Sequence, residues 1–211
     1  MKRLILASSS PQRLKLLRQI GVEPAAVYTS NVDETPLKGE RPRQLAQRLA
    51  LIKAHVAYAA HANDSLILAA DTVVAVGRKI LPKAADIEEA RAFLKLLSGR
   101  THKVHTALCL LETQEHAMVQ RKTTAYQHLT QKCVTSRVTF AALTPTQIDA
   151  YLDSEEWQGK AGAYAIQGLA AAFITRLVGS YSAVVGLPLE LIAPLLNRHA
   201  YPLYDSWSKK P

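Results

Sequence analysis

The chain has 211 residues, of which 48% are hydrophobic and 20% charged, an ordinary balance for a folded domain. A formal charge of +9 suggests an anionic partner, but scattered cations and only 6% aromatic residues disfavour a nucleic-acid stacking platform. No apolar run is long enough to cross a bilayer, and the basic, apolar start of the chain is too short for a signal peptide.

The chain is predicted to form one domain over residues 1–200, followed by a polar tail at 201–211 that we expect to fray. We find no internal repeat and no linker within the domain. Cys109 and Cys133 lack any metal or redox spacing and fit a packing role in a reducing compartment. We therefore expect a cytoplasmic protein.

The first predicted elements are a strand at Arg3–Ala7 and a helix that begins at Pro11, after Ser10 as N-cap. The amino end of such a helix presents free N–H groups and suits an anion, with the Ser8 and Ser10 hydroxyls beside it. Arg13 in the first turn is electrostatically misplaced unless a bound anion offsets it. The alternative is an exposed Arg13 with no role.

An extended segment at Val22–Asn31 and an acidic loop containing Glu34 precede a helix predicted over residues 42–62. The buried stripe of this helix is predicted to consist of Leu45, Leu49, Ile52 and Val56. Lys53 lies beside that stripe, so it either lines a cleft with its stem buried or is a solvated surface lysine.

The most informative stretch is Leu66–Val76, a near-continuous apolar run typical of a strand buried on both faces. It is interrupted by Asp71, which Thr72 follows. A buried carboxylate is costly unless it meets a cation, a metal or several donors. Asp71 is thus either satisfied by a local turn or a catalytic or metal-binding acid. Lys83 follows a predicted hairpin that returns from this strand.

The second half of the chain alternates further strands and helices around a glycine-rich segment. The predicted elements are a helix opened by Asp86, strands at Lys103–Leu111, Lys132–Phe140 and Ala171–Leu177, helices at residues 145–153 and Pro188–Leu196, and a loop at Gly179–Gly186. In the glycine-rich segment GKAGAYAIQG, Gln167 offers both a donor and an acceptor to a base edge. His102, His105, His116 and His128 show no metal-ligand spacing and are interpreted as packing or surface residues.

The motif LASSSPQRLKLL resembles the opening motif of the Maf-like nucleotide pyrophosphatases, and AADTVV, SGRTHKV, KAGAYAIQG and GSYSAVVGLPL continue the resemblance in order. No P-loop and no GxSxG elbow is present. The resemblance implies an α/β fold with a mixed twisted sheet, flanking helices and a cleft between two lobes, similar to inosine-triphosphate pyrophosphatases. It also implies dimers.

The implied reaction is hydrolysis of a nucleoside triphosphate to the monophosphate and pyrophosphate with a divalent metal, Mg²⁺ or Mn²⁺. By resemblance, Asp71 is the proton acceptor for the attacking water and a metal ligand, and Glu34 is the second acid near the metal. Arg13, Lys53 and Lys83 match the phosphate-binding cations. A small nucleotide is therefore the expected partner, and neither a membrane nor nucleic acid is.

Thr72 and Gln167 match the branch of the family that acts on dTTP and UTP, because the branch for 7-methyl-GTP differs at both places. Three residues depart from the family pattern: Gln12 replaces an Arg at a position tied to substrate choice, Gly159 an Asp, and Ala84 a Pro. Two alternatives follow, namely the same fold with another base preference, and a basic regulatory protein that binds nucleotides or nucleic acid.

Overall fold

The apolar run predicted as the central strand forms β3, Ser65–Val76, in a computed structural model that describes residues 2–61, 64–113 and 126–208. Every residue of β3 is buried or half-buried, as its Leu, Ile, Val and Ala content requires. The central strand is thereby confirmed, and Asp71 lies in its interior and not at its end.

Among the described residues, six further strands join β3 in one mixed sheet: β1 (Arg3–Ala7), β2 (Ala26–Val27), β4 (Lys79–Leu81), β5 (Thr101–Thr113), β6 (Tyr126–Phe140) and β7 (Ile174–Val178). The order across the sheet is β2-β1-β3-β5-β6-β7, with β4 also paired to β3. β1 runs parallel to β2 and β3, whereas the pairs β3–β4, β3–β5, β5–β6 and β6–β7 are antiparallel.

One edge of β3 changes partner halfway along the strand. Ala69 is the last residue paired with β1, and Val74 is the first paired with β4. Between them, residues 70–73 pair with β5 on one edge but with none of the described strands on the other. Asp71 and Thr72 therefore lie where the sheet opens, beyond the carboxyl end of β1, which is where open α/β sheets bind ligands.

The helices are α1 (Pro11–Gln19), α2 (Pro42–Ala60), α3 (Ile87–Leu97), α4 (Pro145–Asp153), α5 (Tyr181–Val185), α6 (Leu189–Arg198) and α7 (Asp205–Ser208), with a 3₁₀ turn at Leu169–Phe173. α2 packs on one face of the sheet, and α1 and α6 pack on the other. A third cluster joins α3, α4 and β4 beyond the open edge of β3 and forms the second wall of the cleft. No helix in the described part of the chain is long and apolar enough to cross a membrane.

The predicted buried stripe of α2 is wrong in its second half. Ile52 and Val56 are only half-buried, and the residues that face the sheet are Leu45, Ala46, Leu49, Ala50, Lys53, Ala54 and Ala57. An alanine-rich stripe lets the helix backbone approach the sheet closely. Lys53 belongs to this stripe, so its stem is buried and the surface-lysine alternative is excluded.

Three other segments differ from the prediction. The extended segment after α1 contributes only the two-residue strand β2, and the predicted loop at residues 179–186 contains α5. The segment predicted as a frayed tail is anchored through residue 207, because Leu203 is buried and the Trp207 indole donates to the Ile20 carbonyl at 2.7 Å. Residues 209–211, like His116, lie outside the described residues.

Candidate active site

The Asp71 carboxylate meets Lys53 at the open edge of β3. Alternation along the strand turns Asp71 toward α2, where its Oδ1 accepts a hydrogen bond from Lys53 Nζ at 2.5 Å. The same ammonium donates to Glu34 Oε1 at 2.6 Å, and Lys83 Nζ donates to Glu34 Oε2 at 3.4 Å. Four charged groups from four separate segments thus form one alternating chain of acid and base.

Burial and charge act differently on the two acids. Burial raises the pKa of Asp71, and this effect outweighs the lowering by the Lys53 and Arg13 charges. Glu34 is exposed, and although partial desolvation raises its pKa, the hydrogen bond and charge of Lys53 and the charge of Lys83 outweigh this effect and lower the pKa overall. Asp71 is therefore the better proton acceptor of the two near neutral pH.

Arg13 lines the pocket and connects three segments of the chain. Its Nε donates to the Gly186 carbonyl at 2.8 Å, one Nη to Ser8 Oγ at 2.9 Å and the other to Thr72 Oγ1 at 3.3 Å. Burial lowers the pKa of the guanidinium more than Asp71 and Glu34 raise it. The electrostatically misplaced arginine is thus turned back from the helix end to the sheet edge, which excludes an exposed Arg13.

The amino end of α1 faces the same pocket. Ser10 occupies the N-cap position as predicted, but its hydroxyl makes no capping bond to the first turn. The Ser8 hydroxyl instead accepts from the Ser10 N–H at 3.2 Å. The first-turn N–H groups are left without a side-chain cap, as an anion site at a helix terminus requires.

The glycine-rich segment forms the opposite wall. Gly162 has φ +72°, and a Cβ there would lie 2.8 Å from Val74 Cγ1, so only glycine lets this segment lie against β3. Tyr164 is buried, and its hydroxyl pairs with His102 Nε2 at 2.7 Å. Burial lowers the pKa of His102 to about 4, so its ring is neutral at pH 7. Gln167 is exposed at the rim.

All the sequence-predicted site residues line one cavity of about 370 Å³, a size suited to a small molecule. They are Ser8, Ser10, Gln12, Arg13, Glu34, Lys53, Asp71, Thr72, Lys83 and Gln167. With Lys160, four cationic side chains stand against two carboxylates in this lining. The excess positive charge suits a polyanion.

Several lining residues were missed from the sequence. Lys160 and Tyr164 lie in the glycine-rich segment, whose glycines signalled a close approach, but nothing showed which of its side chains face inward. Val184 and Val185 belong to α5, which was predicted as a loop. Thr106 lies behind the lining and supports Thr72, a contact that strand alternation alone does not reveal.

Glu34 and Asp71 supply carboxylate oxygens, the donor type that Mg²⁺ prefers in proteins. Glu34 Oε1 and Asp71 Oδ1 converge on a single point, which Lys53 Nζ occupies. The described residues contain no group of three or more His, Cys, Asp or Glu that could hold a metal by themselves. Two carboxylates completed by phosphate oxygens and water are the donor set that Mg²⁺ commonly uses.

Together, the open-edged α/β sheet and its cationic pocket define a protein built to bind a phosphorylated small molecule and present a carboxylate to it. The chain belongs to the Maf-like protein family, whose profile matches residues 3–199.

Curated relatives and a solved structure agree with this assignment. The dTTP/UTP pyrophosphatases of Brucella abortus (strain 2308) and Nitrobacter winogradskyi are each 50% identical over 210 residues, covering 97% of this chain and 95% and 96% of theirs. That of Mesorhizobium japonicum is 45% identical over 212 residues, covering 98% of this chain and 96% of its own. The Ham1 protein of Staphylococcus aureus is 14% identical, with a TM-score of 0.51 over 94% of this chain and 100% of its own. This last similarity confirms the predicted fold.

Proposed function

We propose that this chain hydrolyses dTTP and UTP to the nucleoside monophosphate and pyrophosphate. The observation that carries the proposal is the buried Asp71 carboxylate beside Lys53, at the open sheet edge of a cationic pocket. The names of relatives about half identical over nearly the full length supply the substrates.

In this reaction a water oxygen bonds to the α-phosphorus while the bond from that phosphorus to the α,β-bridging oxygen breaks. Asp71 accepts the water proton, a role favoured by its raised pKa. Arg13, Lys53 and Lys83 offset the charge of the phosphates, and the amino end of α1 adds N–H donors. Pyrophosphate leaves with the electron pair of the broken bond.

We also propose that Glu34 and Asp71 hold a divalent cation, Mg²⁺ or Mn²⁺, together with the substrate phosphates. When bound, such an ion neutralises phosphate charge and acidifies a neighbouring water. Because Lys53 bridges both carboxylates, the ammonium can exchange one acid for a phosphate oxygen without leaving the cavity.

Gln167 and Thr72 are proposed to face the nucleoside, as the resemblance implies, and both line the cavity. Gln12 also lines the cavity as a neutral amide. A charged donor there would add about 1.5–3 kcal/mol to an anion contact, so Gln12 is expected to weaken binding or broaden base choice. Gly159 has no neighbour within 4 Å of an added Cβ, and its substitution for Asp leaves the acids untouched. Ala84 likewise leaves Lys83 in the lining.

The test is pyrophosphate release from dTTP, UTP, CTP and 7-methyl-GTP, with Asp71→Asn beside wild type and Mg²⁺ or Mn²⁺ supplied. Turnover of dTTP and UTP is expected to exceed that of the other two, and Asp71→Asn to lower it about 10²–10⁴-fold. Preference for 7-methyl-GTP would assign the chain another base, and no release from any of the four would refute the proposal.

We further propose that the protein is cytoplasmic and forms a homodimer, as the resemblance implies. Exposed Leu169, Val178 and Tyr181 around the edge strand β7 provide apolar surface for such a contact. Analytical ultracentrifugation of wild type and Val178→Glu tests the dimer, which the charged variant is expected to weaken. A wild-type protein that is monomeric at all concentrations would exclude the dimer.

A further inference from the structure

Two threonine hydroxyls meet behind the phosphate-facing arginine. Thr72 on β3 and Thr106 on β5 are register partners, and their Oγ1 atoms lie 3.1 Å apart. Thr72 is half-buried and lines the cavity, whereas Thr106 is fully buried and does not reach it. Thr106 therefore acts on a ligand only indirectly, and its contact with Thr72 leads to a side chain that lines the cavity.

The direction of the hydrogen bond between the two hydroxyls follows from counting protons. Thr106 Oγ1 lies 2.6 Å from the Ala183 carbonyl oxygen, which can only accept. A hydroxyl has one proton and two lone pairs, so this bond uses the single proton of Thr106. In the contact with Thr72, Thr106 must then be the acceptor, and Thr72 must be the donor.

The same count determines what Thr72 has left for a ligand. Its only proton is directed at Thr106, and one of its lone pairs receives the Arg13 Nη hydrogen at 3.3 Å. One lone pair remains, so Thr72 Oγ1 presents an acceptor and no donor to the cavity. Phosphate and carbonyl oxygens, which are themselves acceptors, gain no hydrogen bond at this point.

We propose that Thr106 is a specificity-determining residue, which holds Thr72 as a hydrogen-bond acceptor and so selects nucleotides that present an N–H or O–H there. This inference rests on the proposed function. The N3–H of uracil and thymine is such a donor, whereas N3 of cytosine carries a lone pair and repels an acceptor. The 3′-hydroxyl of the sugar is the other donor that both dTTP and UTP offer.

The test is the kcat/KM ratio of two substrate pairs in Thr106→Val, which keeps the shape of the side chain but loses its hydroxyl. The first pair is UTP and CTP, and the second is dTTP and its 3′-deoxy analogue. With Thr106 unable to accept, the Thr72 proton is free to turn toward the cavity. The preference for UTP over CTP is expected to fall about tenfold, equivalent to one neutral hydrogen bond.

Three further variants make the result specific. Thr106→Ser retains the hydroxyl and is expected to keep the wild-type ratios, which loss of packing alone would not explain. Thr101→Val removes a similar hydroxyl pair, Thr101 on β5 with Thr139 on β6 at 2.8 Å, on an exposed part of the same sheet, and should change neither ratio. Thr72→Val removes the acceptor itself and should lower the same ratio, which keeps the test open if Thr106→Val does not fold.

A fall in the UTP/CTP ratio identifies the base N–H as the donor, and a fall only in the second ratio identifies the sugar hydroxyl; either supports the inference. Unchanged ratios in a folded Thr106→Val, or unchanged ratios in Thr72→Val, would overturn it. That result differs from failure of the proposed function, in which wild type itself releases no pyrophosphate.

Discussion

Replacing Lys53 with methionine tests whether the buried ion pair holds the site together. Methionine has a similar length, so the change removes the ammonium and leaves the Asp71 carboxylate buried without its 2.5 Å partner. At an effective dielectric constant of about 20, that contact is worth roughly 7 kcal/mol before the desolvation of both groups is counted. Breaking one side of a buried pair costs about 3–5 kcal/mol, a large part of a typical domain's stability.

Lys83→Met is the matched control, because Lys83 belongs to the same pocket but its side chain is 57% exposed. Its contact with Glu34, at 3.4 Å, is screened by water and is expected to contribute less than about 1 kcal/mol. Both variants are expected to lose turnover, since both remove a cation that we propose to bind the substrate phosphates. Only Lys53→Met is expected to unfold at markedly lower urea.

The loss of stability in Lys53→Met should also depend on pH, and the titration of Asp71 decides whether this loss grows or shrinks as the pH rises. Lys53 lowers the pKa of Asp71, so its removal raises that pKa further above the ordinary value. The deficit relative to wild type is therefore small in acid, where Asp71 is protonated in both proteins, and grows as the pH rises through the wild-type pKa of Asp71. Urea unfolding at several pH values measures it. Equal losses for Lys53→Met and Lys83→Met at neutral pH would refute the reasoning.

Three further predictions concern the acid limb, a buried histidine and a glycine. Burial raises the pKa of Asp71, so the fall in kcat on acidification should occur at a pH above the ordinary pKa range of aspartate. The residual activity of Asp71→Asn should not show this fall. A fall in wild-type kcat that occurs only below about pH 4 would contradict the prediction. The pKa of His102 is lowered to about 4, so the stability that its neutral ring contributes should be lost as the pH falls below about 6.5, by up to about 3 kcal/mol. Urea unfolding of wild type and His102→Gln at pH 7 and pH 5 measures this loss. Equal pH dependence of the two proteins would contradict the prediction. Gly162→Ala should lower the unfolding midpoint more than Gly159→Ala, because both have positive φ but only the first places a Cβ 2.8 Å from Val74; equal midpoints would show that the contact relaxes freely.

The central strand and the helix starts could be predicted because their signals are local. An apolar run of Leu, Ile, Val and Ala has few places to lie except the middle of a sheet, and β3 occupies that place. At the start of α4, the Thr144 hydroxyl accepts from the Gln147 N–H at 3.2 Å, so the side chain that marks the sequence also makes the cap. The short helix α5 escaped prediction although Ser180 caps it at 3.1 Å, because glycines on both sides favoured a loop.

The site was harder to predict where it depends on packing between distant segments. The periodicity of α2 predicted that Lys53 lies beside the buried stripe. Only the orientation of the helix on the sheet shows that Lys53 is buried and donates a hydrogen bond to Asp71. The role of Thr106 was invisible for the same reason, because it follows from a carbonyl 77 residues away. Chemistry of single residues could be inferred from the sequence, whereas the partners that set their protonation and hydrogen-bond direction come from tertiary structure.

The contact between Arg13 and Gly186 joins residues 173 positions apart and has a consequence for synthesis. A nascent chain can pair β1, β3 and β5 long before the ribosome has released residue 186, so most of the sheet is able to form while this guanidinium still lacks its last anchor. Arg13 thus gains its full set of hydrogen bonds only once Gly186 has been synthesised. Fragments truncated ahead of α5 would be folded in part but enzymatically silent.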